Sequence, residues 1–226
     1  MVASPPMSDL VIFGTGDIAA LACRYFETDS LHRVAAFTVD APYVGEGRFM
    51  DRPVLPFEEV ERHFPPDAHG MFVALSYARL NRLRAERCAA ARAKGYALAS
   101  YVSSRATTFG ELSHGDNCFI LEDNTIQPFA TIGSNVTLWS GNHIGHHSAI
   151  ADDVFVASHV VVSGGVRIGR GCFLGVNATI RDHVTIGEEC VVGAGALVLE
   201  DQAPHGVIAP RGTERSRVPS TRLRGI

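Results

Sequence analysis

The chain has 226 residues, a length that suits one large domain or two small ones. With 46% hydrophobic and 19% charged residues it has the composition of a chain that buries a core, which excludes disorder and a collagen-like fibre. Twenty Lys and Arg against 24 Asp and Glu leave a net charge of −4, so nothing pulls the chain as a whole toward nucleic acid or an anionic membrane.

The opening MVASPPMSD has no charged stretch followed by an apolar run, and so does not read as a signal peptide. No run approaches the ~18 apolar residues that span a bilayer. Five cysteines, at 23, 88, 118, 172 and 190, are odd in number and widely spaced. They form neither a disulfide framework nor a CxxC metal site. The expectation is a soluble protein of a reducing cytoplasm.

Residues 10–104 alternate strand and helix patterns. Leu10-Val11-Ile12-Phe13 reads as a buried strand ending at Gly14-Thr15-Gly16, and Ile18–Phe26 as a helix. A strand Val34–Val39 ends at Asp40, and Pro56–Val60 opens a short helix. Phe72–Leu75 is a third strand, Leu80–Ala93 a helix rich in Ala and Arg, and Tyr96–Val102 a fourth strand. Such alternation implies a parallel sheet covered by helices.

Beyond about residue 105 the helical signal stops and a period of six begins. Every sixth residue from Ile120 is aliphatic: Ile120, Ile126, Ile132, Leu138, Ile144, Ile150, Val156, Val162, Ile168, Leu174, Ile180, Ile186, Val192 and Val198. The next residue is often small, as at Gly133, Gly145, Gly169, Gly175, Gly187 and Gly193. The residue two before is mostly small or β-branched, and includes Cys118, Cys172 and Cys190. Six is neither the helical period nor simple strand alternation. It fits a β-helix of one short strand and one turn per hexapeptide. The aliphatic residue fills the interior, the small residue turns the corner, and the cysteines are core fillers.

This pattern resembles the left-handed β-helix of the hexapeptide-repeat acyltransferases. An α/β unit ahead of the prism resembles their sugar-modifying branch, which includes sialic acid O-acetyltransferases and nucleotide-amino-sugar N-acetyltransferases. The resemblance implies three hexapeptides per triangular coil, left-handed winding, and a homotrimer with three shared active sites. The expected organisation is a Rossmann-like nucleotide-sugar-binding domain (1–104), a left-handed parallel β-helix acyltransferase domain (105–203) and a C-terminal tail (204–226).

The chemistry concentrates in Asn142-His143-Ile144-Gly145-His146-His147-Ser148-Ala149-Ile150. Ile144 and Ile150 point inward, so the histidines between them lie outside the core. Acyl transfer from a thioester needs a base near neutral pKa, which histidine supplies. Eighteen residues on from His146 is Gly164, one coil above it, where a bare peptide N–H could hold an oxyanion. In the resembling enzymes the histidine of an x-His-x-[Cys/Ser]-x-Ile segment is the base, and a glycine one coil on donates to the acyl oxygen. Gly145-His146-His147-Ser148-Ala149-Ile150 matches that segment, which implies these roles for His146 and Gly164. Many relatives carry an acidic residue after the base. Here it is His147, so either another group such as a backbone carbonyl orients His146, or His147 takes part. His143 and His159 are second candidates for acceptor contact, His183 reads as structural, and the Trp139 ring as pointing outward to a subunit interface.

Gly14-Thr15-Gly16-Asp17-Ile18-Ala19 lies between a strand and a helix, the setting of a diphosphate-binding turn. Too few residues precede the repeat for a six-stranded dinucleotide fold, so the resemblance assigns Gly14 and Gly16 to the diphosphate of a nucleotide-sugar and Asp40 to its base or ribose. A plain helix–sheet turn is the competing explanation. Asn81 and Arg84 read as a solvated helix face, with contact of an arginine there to phosphate or a sugar carboxylate as the alternative. Arg211, Arg215, Arg217, Arg222 and Arg224 read as a frayed tail, with a cover for the prism's end or a contact to the 3′-phosphate of coenzyme A as the alternative.

The expected function is transfer of an acetyl group from acetyl-CoA to an amino or hydroxyl group of a nucleotide-linked sugar. Coenzyme A is expected in the groove between prisms, near Gly164, Gly175, Val176, Gly193 and Ala194. Neither a metal, nucleic acid nor a membrane is expected as partner. Two rivals stand beside it: a zinc hydratase of the γ-carbonic anhydrase type using the clustered histidines, and a non-catalytic trimeric scaffold that binds a nucleotide-sugar.

Overall fold

The computed structural model describes residues 9–212 and 219–222. Arg215, Arg217 and Arg224 lie outside the described residues, whereas Arg211 and Arg222 are exposed. No helix among the described residues is long and apolar enough to cross a membrane.

The first part contains β1 (Asp9–Phe13), α1 (Asp17–Asp29), β2 (Arg33–Val39), β3 (Arg48–Phe49), β4 (Arg52–Pro56), α2 (Val60–His63), β5 (His69–Val73) and α3 (Arg82–Ala93). The sheet order is β3-β4-β2-β1-β5, with β3 antiparallel to β4 and the other pairs parallel. β1 is an inner strand, between β2 and β5, and covered on both faces, which explains its unbroken apolar run. Leu10 and Ile12 pack toward Ala22, Cys23 and Phe26 of α1, whereas Val11 and Phe13 pack toward Val60, Cys88 and Ala91.

Two expectations about strands are corrected here. β4 was hidden in the sequence because Pro53 and Pro56 sit inside it, and proline is confined to strand edges and ends. The apolar run Tyr96–Val102 is not a fourth strand of this sheet. Leu98 makes a single bridge to Met71, and Tyr101–Val102 (β6) is the first rung of the following stack.

That stack is a parallel β-helix of two-residue strands from β6 to β23 (Val207–Ile208). Its three faces are sheets of seven, six and five strands. Up to β22 (Leu197–Val198) paired strands lie 18 residues apart, as in Thr125 to His143 to Val161 to Thr179 to Leu197, and the last rung, Val191 to Val207, is shorter. All fourteen aliphatic residues of the six-residue series are buried inside, and Cys118, Cys172 and Cys190 fill the interior beside them. Burial pushes the Cys118 and Cys172 thiols up, to about 11 and about 12. The fold class is thus the expected one, a Rossmann-like α/β unit followed by a left-handed β-helix.

The turns work differently from the expectation. The small residue after each aliphatic does not turn the corner. The turning residue comes two positions later, in the left-handed region, and stacks in columns 18 residues apart. One column is Asn117, Asn135, Asp153, Gly171 and Glu189; a second is Asp123, Gly141, His159, Asn177 and Gly195; a third is Phe129, His147, Gly165 and His183. The small residue is required because the next coil passes close to it. A Cβ on Gly145 would stand 2.5 Å from the carbonyl carbon of Ser163 and 2.6 Å from the nitrogen of Gly164.

The α/β unit docks on one face and one corner of this prism. The outward Tyr101 and Phe119 join Phe26 and Phe72 in an aromatic cluster, and Tyr77 packs on Phe155 and Phe173 at 5.0 and 4.8 Å. α3 lies along the first turn column. There Arg84 is fully buried, donating to Oδ1 and O of Asn135 at 2.9 Å each and to the carbonyls of Val154 and Leu75. Asn135 passes the contact to Asp153 at 2.7 Å, and Asp153 meets Arg170. Burial lowers the Arg84 pKa to about 10. The expectation of a solvated helix face at Asn81 and Arg84 is therefore overturned. Both are buried, because this end of α3 is pressed against the prism and donates to its backbone, Asn81 reaching the carbonyl of Cys172.

Candidate active site

The His146 turn belongs to the third column, which α3 does not cover. The backbone builds it as follows. Ile144 is held inside, Gly145 lets the next coil approach, and His147 takes the left-handed conformation (φ 58°) that swings the chain toward Ile150. Ser148 locks the turn by donating to the carbonyl of Ser163 at 2.9 Å and accepting the N–H of Val166. The His146 backbone N–H donates to Oε1 of Gln127 at 2.9 Å. Both imidazoles are left exposed.

The His146 ring lies against Gly164. A Cβ at Gly164 would stand 2.7 Å from both Cε1 and Nε2 of that ring, so no other residue leaves the imidazole in place. The N–H of Gly164 has no hydrogen-bond partner among the described residues, whereas that of Gly165 donates to the carbonyl of His146. Among the described turns of the prism, Gly164-Gly165 alone has glycine at both positions. The result is a notch one coil high with an imidazole floor. His183 folds over it from above, where a Cβ on Gly165 would meet its Nδ1 at 2.5 Å.

Nδ1 of His146 and Nδ1 of His147 are 3.1 Å apart. One ring must donate and the other accept. With His146 as donor its Nε2 keeps a lone pair, the state a general base requires. His147 is thus the hydrogen-bond partner of the His146 ring.

The remaining expected site residues fall elsewhere. His143 is half-buried on a flat face of the prism, between Thr125 and Val161. His159 is on the second column, its ring over Gly141. Gly175, Val176 and Ala194 line a cavity of about 380 Å³ with Tyr77, Trp139 and Phe155, on the side of the prism that carries the second column. Gly193 lies beneath Pro210 instead. The Trp139 ring points out of the prism as expected, but against the α/β unit of its own chain, where it is half-buried because the aromatic face of the prism is where that unit docks.

In the α/β unit, Gly14, Asp40, Thr15, Tyr43, Leu75 and Arg87 line a cavity of about 390 Å³ beyond the ends of β1, β2 and β5. Gly14 is needed for its backbone (φ 122°), and a Cβ there would stand 2.9 Å from the carbonyl of Ala74. Gly16 caps α1 and is outside the cavity lining. Asp40 pairs with Arg87 at 2.9 Å, a residue sequence reasoning missed. Its signal was faint: one arginine among several on an Arg-rich helix. Among the described residues no group of three or more His, Cys, Asp or Glu is arranged to hold a metal.

One chain therefore brings His146, His147 and Gly164 together, but holds Gly175, Val176 and Ala194 on another part of the prism and Gly14 and Asp40 in the α/β unit.

Residues 129–164 and 165–200 match the bacterial transferase hexapeptide family (six repeats). No curated protein sequence matches the chain. Among solved structures it is similar to the acetyltransferase domain of PglB from Neisseria gonorrhoeae in complex with acetyl coenzyme A, at 19% identity, TM-score 0.76, covering 89% of this chain and 95% of that one. It is similar to PerB from Caulobacter crescentus in complex with CoA and GDP-perosamine, at 24% identity, TM-score 0.76, with 91% and 95% covered. It is also similar to WeeI from Acinetobacter baumannii, at 18% identity, TM-score 0.74, with 88% and 94% covered. At these identities the likeness establishes a shared fold over nearly the whole chain.

Proposed function

We propose that this protein is an acyltransferase that moves an acetyl group from acetyl-CoA to an amino or hydroxyl group of a nucleotide-linked sugar. The observation that carries the reading is the His146 imidazole set against Gly164, whose peptide N–H is unpartnered among the described residues. A base beside a free donor is what acyl transfer from a thioester needs. The solved structures that share the fold and hold acetyl-CoA, or CoA with GDP-perosamine, support the choice of donor and acceptor.

In this reading Nε2 of His146 takes the proton of the acceptor as its nitrogen or oxygen attacks the thioester carbon. His147 accepts from Nδ1–H and steadies the imidazolium. The Gly164 N–H holds the oxyanion. The C–S bond then breaks, and the thiolate recovers the proton from His146. The nucleotide is assigned to the cavity at Gly14 and Asp40, with Arg87 as a further phosphate or base contact. Coenzyme A is assigned to Gly164 together with the surface of Gly175, Val176 and Ala194. Because these groups occupy different parts of one prism, a cleft that uses both needs a second chain, which favours a homotrimer with shared sites. A cytoplasmic location fits substrates of this kind.

His146→Asn is expected to lose ~10²–10⁴-fold in kcat, with acetyl-CoA binding by calorimetry and the oligomer by light scattering unchanged. Turnover equal to the unmodified protein would remove His146 from the mechanism.

A further inference from the structure

Phe129 lies one coil below His147 in the same turn column, in the left-handed conformation (φ 67°), and is 75% exposed. The other non-glycine residues in the three columns are Asn, Asp, Glu or His. Those side chains are polar, and Asn and Asp in particular tolerate this conformation by bonding locally. A phenyl ring gains nothing of that kind, and Phe129 is not packed into the core. Backbone strain of this sort persists where a site uses it. The contact Phe129 makes is with His147: ring centroids 4.7 Å apart, planes tilted by 37°.

The contact continues upward without a gap. His147 Nδ1 meets His146 Nδ1 at 3.1 Å, and the His146 ring reaches Gly164. Around this chain of contacts the polar groups are Oε1 of Gln127, held by the His146 backbone N–H, and the Asp182–His183 pair above the glycine notch. Among the described residues none of these bonds to either His146 ring nitrogen. The orientation of His147 therefore decides which tautomer His146 adopts, and the Phe129 face is what backs the His147 ring.

We infer that Phe129 is a positioning residue for the base: by stacking on His147 it holds Nδ1 of that ring where it accepts the Nδ1–H of His146, leaving Nε2 of His146 free to take a proton. The pair does the work of an imidazole–carboxylate couple without a negative charge, so the imidazolium is steadied by a neutral acceptor. This inference rests on the transferase reading for its consequence in rate, but not for its structural content.

The test separates the two. Phe129→Gly removes the ring and also relieves the left-handed strain, so a merely structural role predicts unchanged or higher thermal stability and unchanged activity. Positioning predicts the same stability, the same oligomer and acetyl-CoA affinity within about twofold, but kcat lowered about tenfold with KM nearly constant. In ¹⁵N spectra of histidine-labelled protein without substrate, His146 should move from the Nδ1–H form toward a tautomer mixture in Phe129→Gly, and return in Phe129→Tyr. In a His147→Ala background, Phe129→Gly should add no further loss, since the two act in series. An unchanged His146 spectrum in Phe129→Gly would overturn the inference. A shifted spectrum in a protein that transfers no acetyl group would leave the inference standing and sink the transferase reading instead.

Discussion

The first and third turn columns are the same backbone device, residues in the left-handed conformation repeated every 18 positions, yet they meet opposite fates. On the first, Asn117, Asn135 and Asp153 are buried, and α3 closes over them with Arg84. On the third, Phe129 and His147 stay exposed, and no helix among the described residues covers them. The β-helix supplies equivalent corners. What distinguishes a structural corner from a chemical one is which is capped, and whether the side chains there satisfy one another or remain available.

Several substitutions would break or sharpen that contrast. The largest effect is expected at the sealed corner. Arg84→Met keeps the volume but leaves the carbonyls of Asn135 and Leu75 without their donor, and should lower unfolding stability by about 3 kcal/mol or more in urea titrations. An unchanged midpoint would mean that the aromatic face alone holds α3. Gly164→Ala, at the open corner, should show the reverse pattern. Its Cβ displaces only the His146 ring, so kcat should fall about 100-fold, close to 2.7 kcal/mol, with stability within about 1 kcal/mol. A loss of folding there would show that the open corner is structural too. Gly145→Ala forces a Cβ into the backbone of the next coil, and should cost about 2 kcal/mol of stability in thermal unfolding.

The smallest effect concerns a third junction, where Asp29 at the end of α1 accepts from Tyr101 Oη at 2.7 Å and from the Ser104 N–H at 2.9 Å. These donors hold its carboxyl at about 2, below the ordinary value of 3.8. A depressed pKa stabilises the fold above the unfolded value, and the contribution fades as pH falls from about 4 to about 2. Asp29→Asn should therefore remove about 1 kcal/mol at pH 7, after allowing for solvent screening, and flatten the stability loss across that acid range.

The interior of the prism was readable because one requirement, an aliphatic side chain pointing inward, recurs at every sixth residue without interruption. With the three-hexapeptide coil that the family resemblance implied, that period also placed Gly164 above His146, since a fixed coil length turns sequence distance into spatial contact. The capped corner was not readable. Arg84 meets Asn135 across 51 residues and donates to the main chain, so neither helical spacing nor charge pairing announces its burial. β4 escaped notice because prolines argue against a strand. Arg87 opposite Asp40 and Phe129 beneath His147 depend on how separate elements meet, which periodicity alone does not encode. The small residues after each aliphatic were found readily but given the wrong task, because a corner and a close approach ask for the same kind of residue.

The strict eighteen-residue register has a consequence for how this chain can change length. Inserting a whole coil between the notch and the final rung would only make the column taller. Inserting a single hexapeptide below His146 would rotate everything above it by a third of a turn. The imidazoles would then face where α3 now sits, or where the next flat wall begins. Growth by whole turns is mechanically silent, whereas growth by thirds re-aims the chemistry like a misthreaded screw.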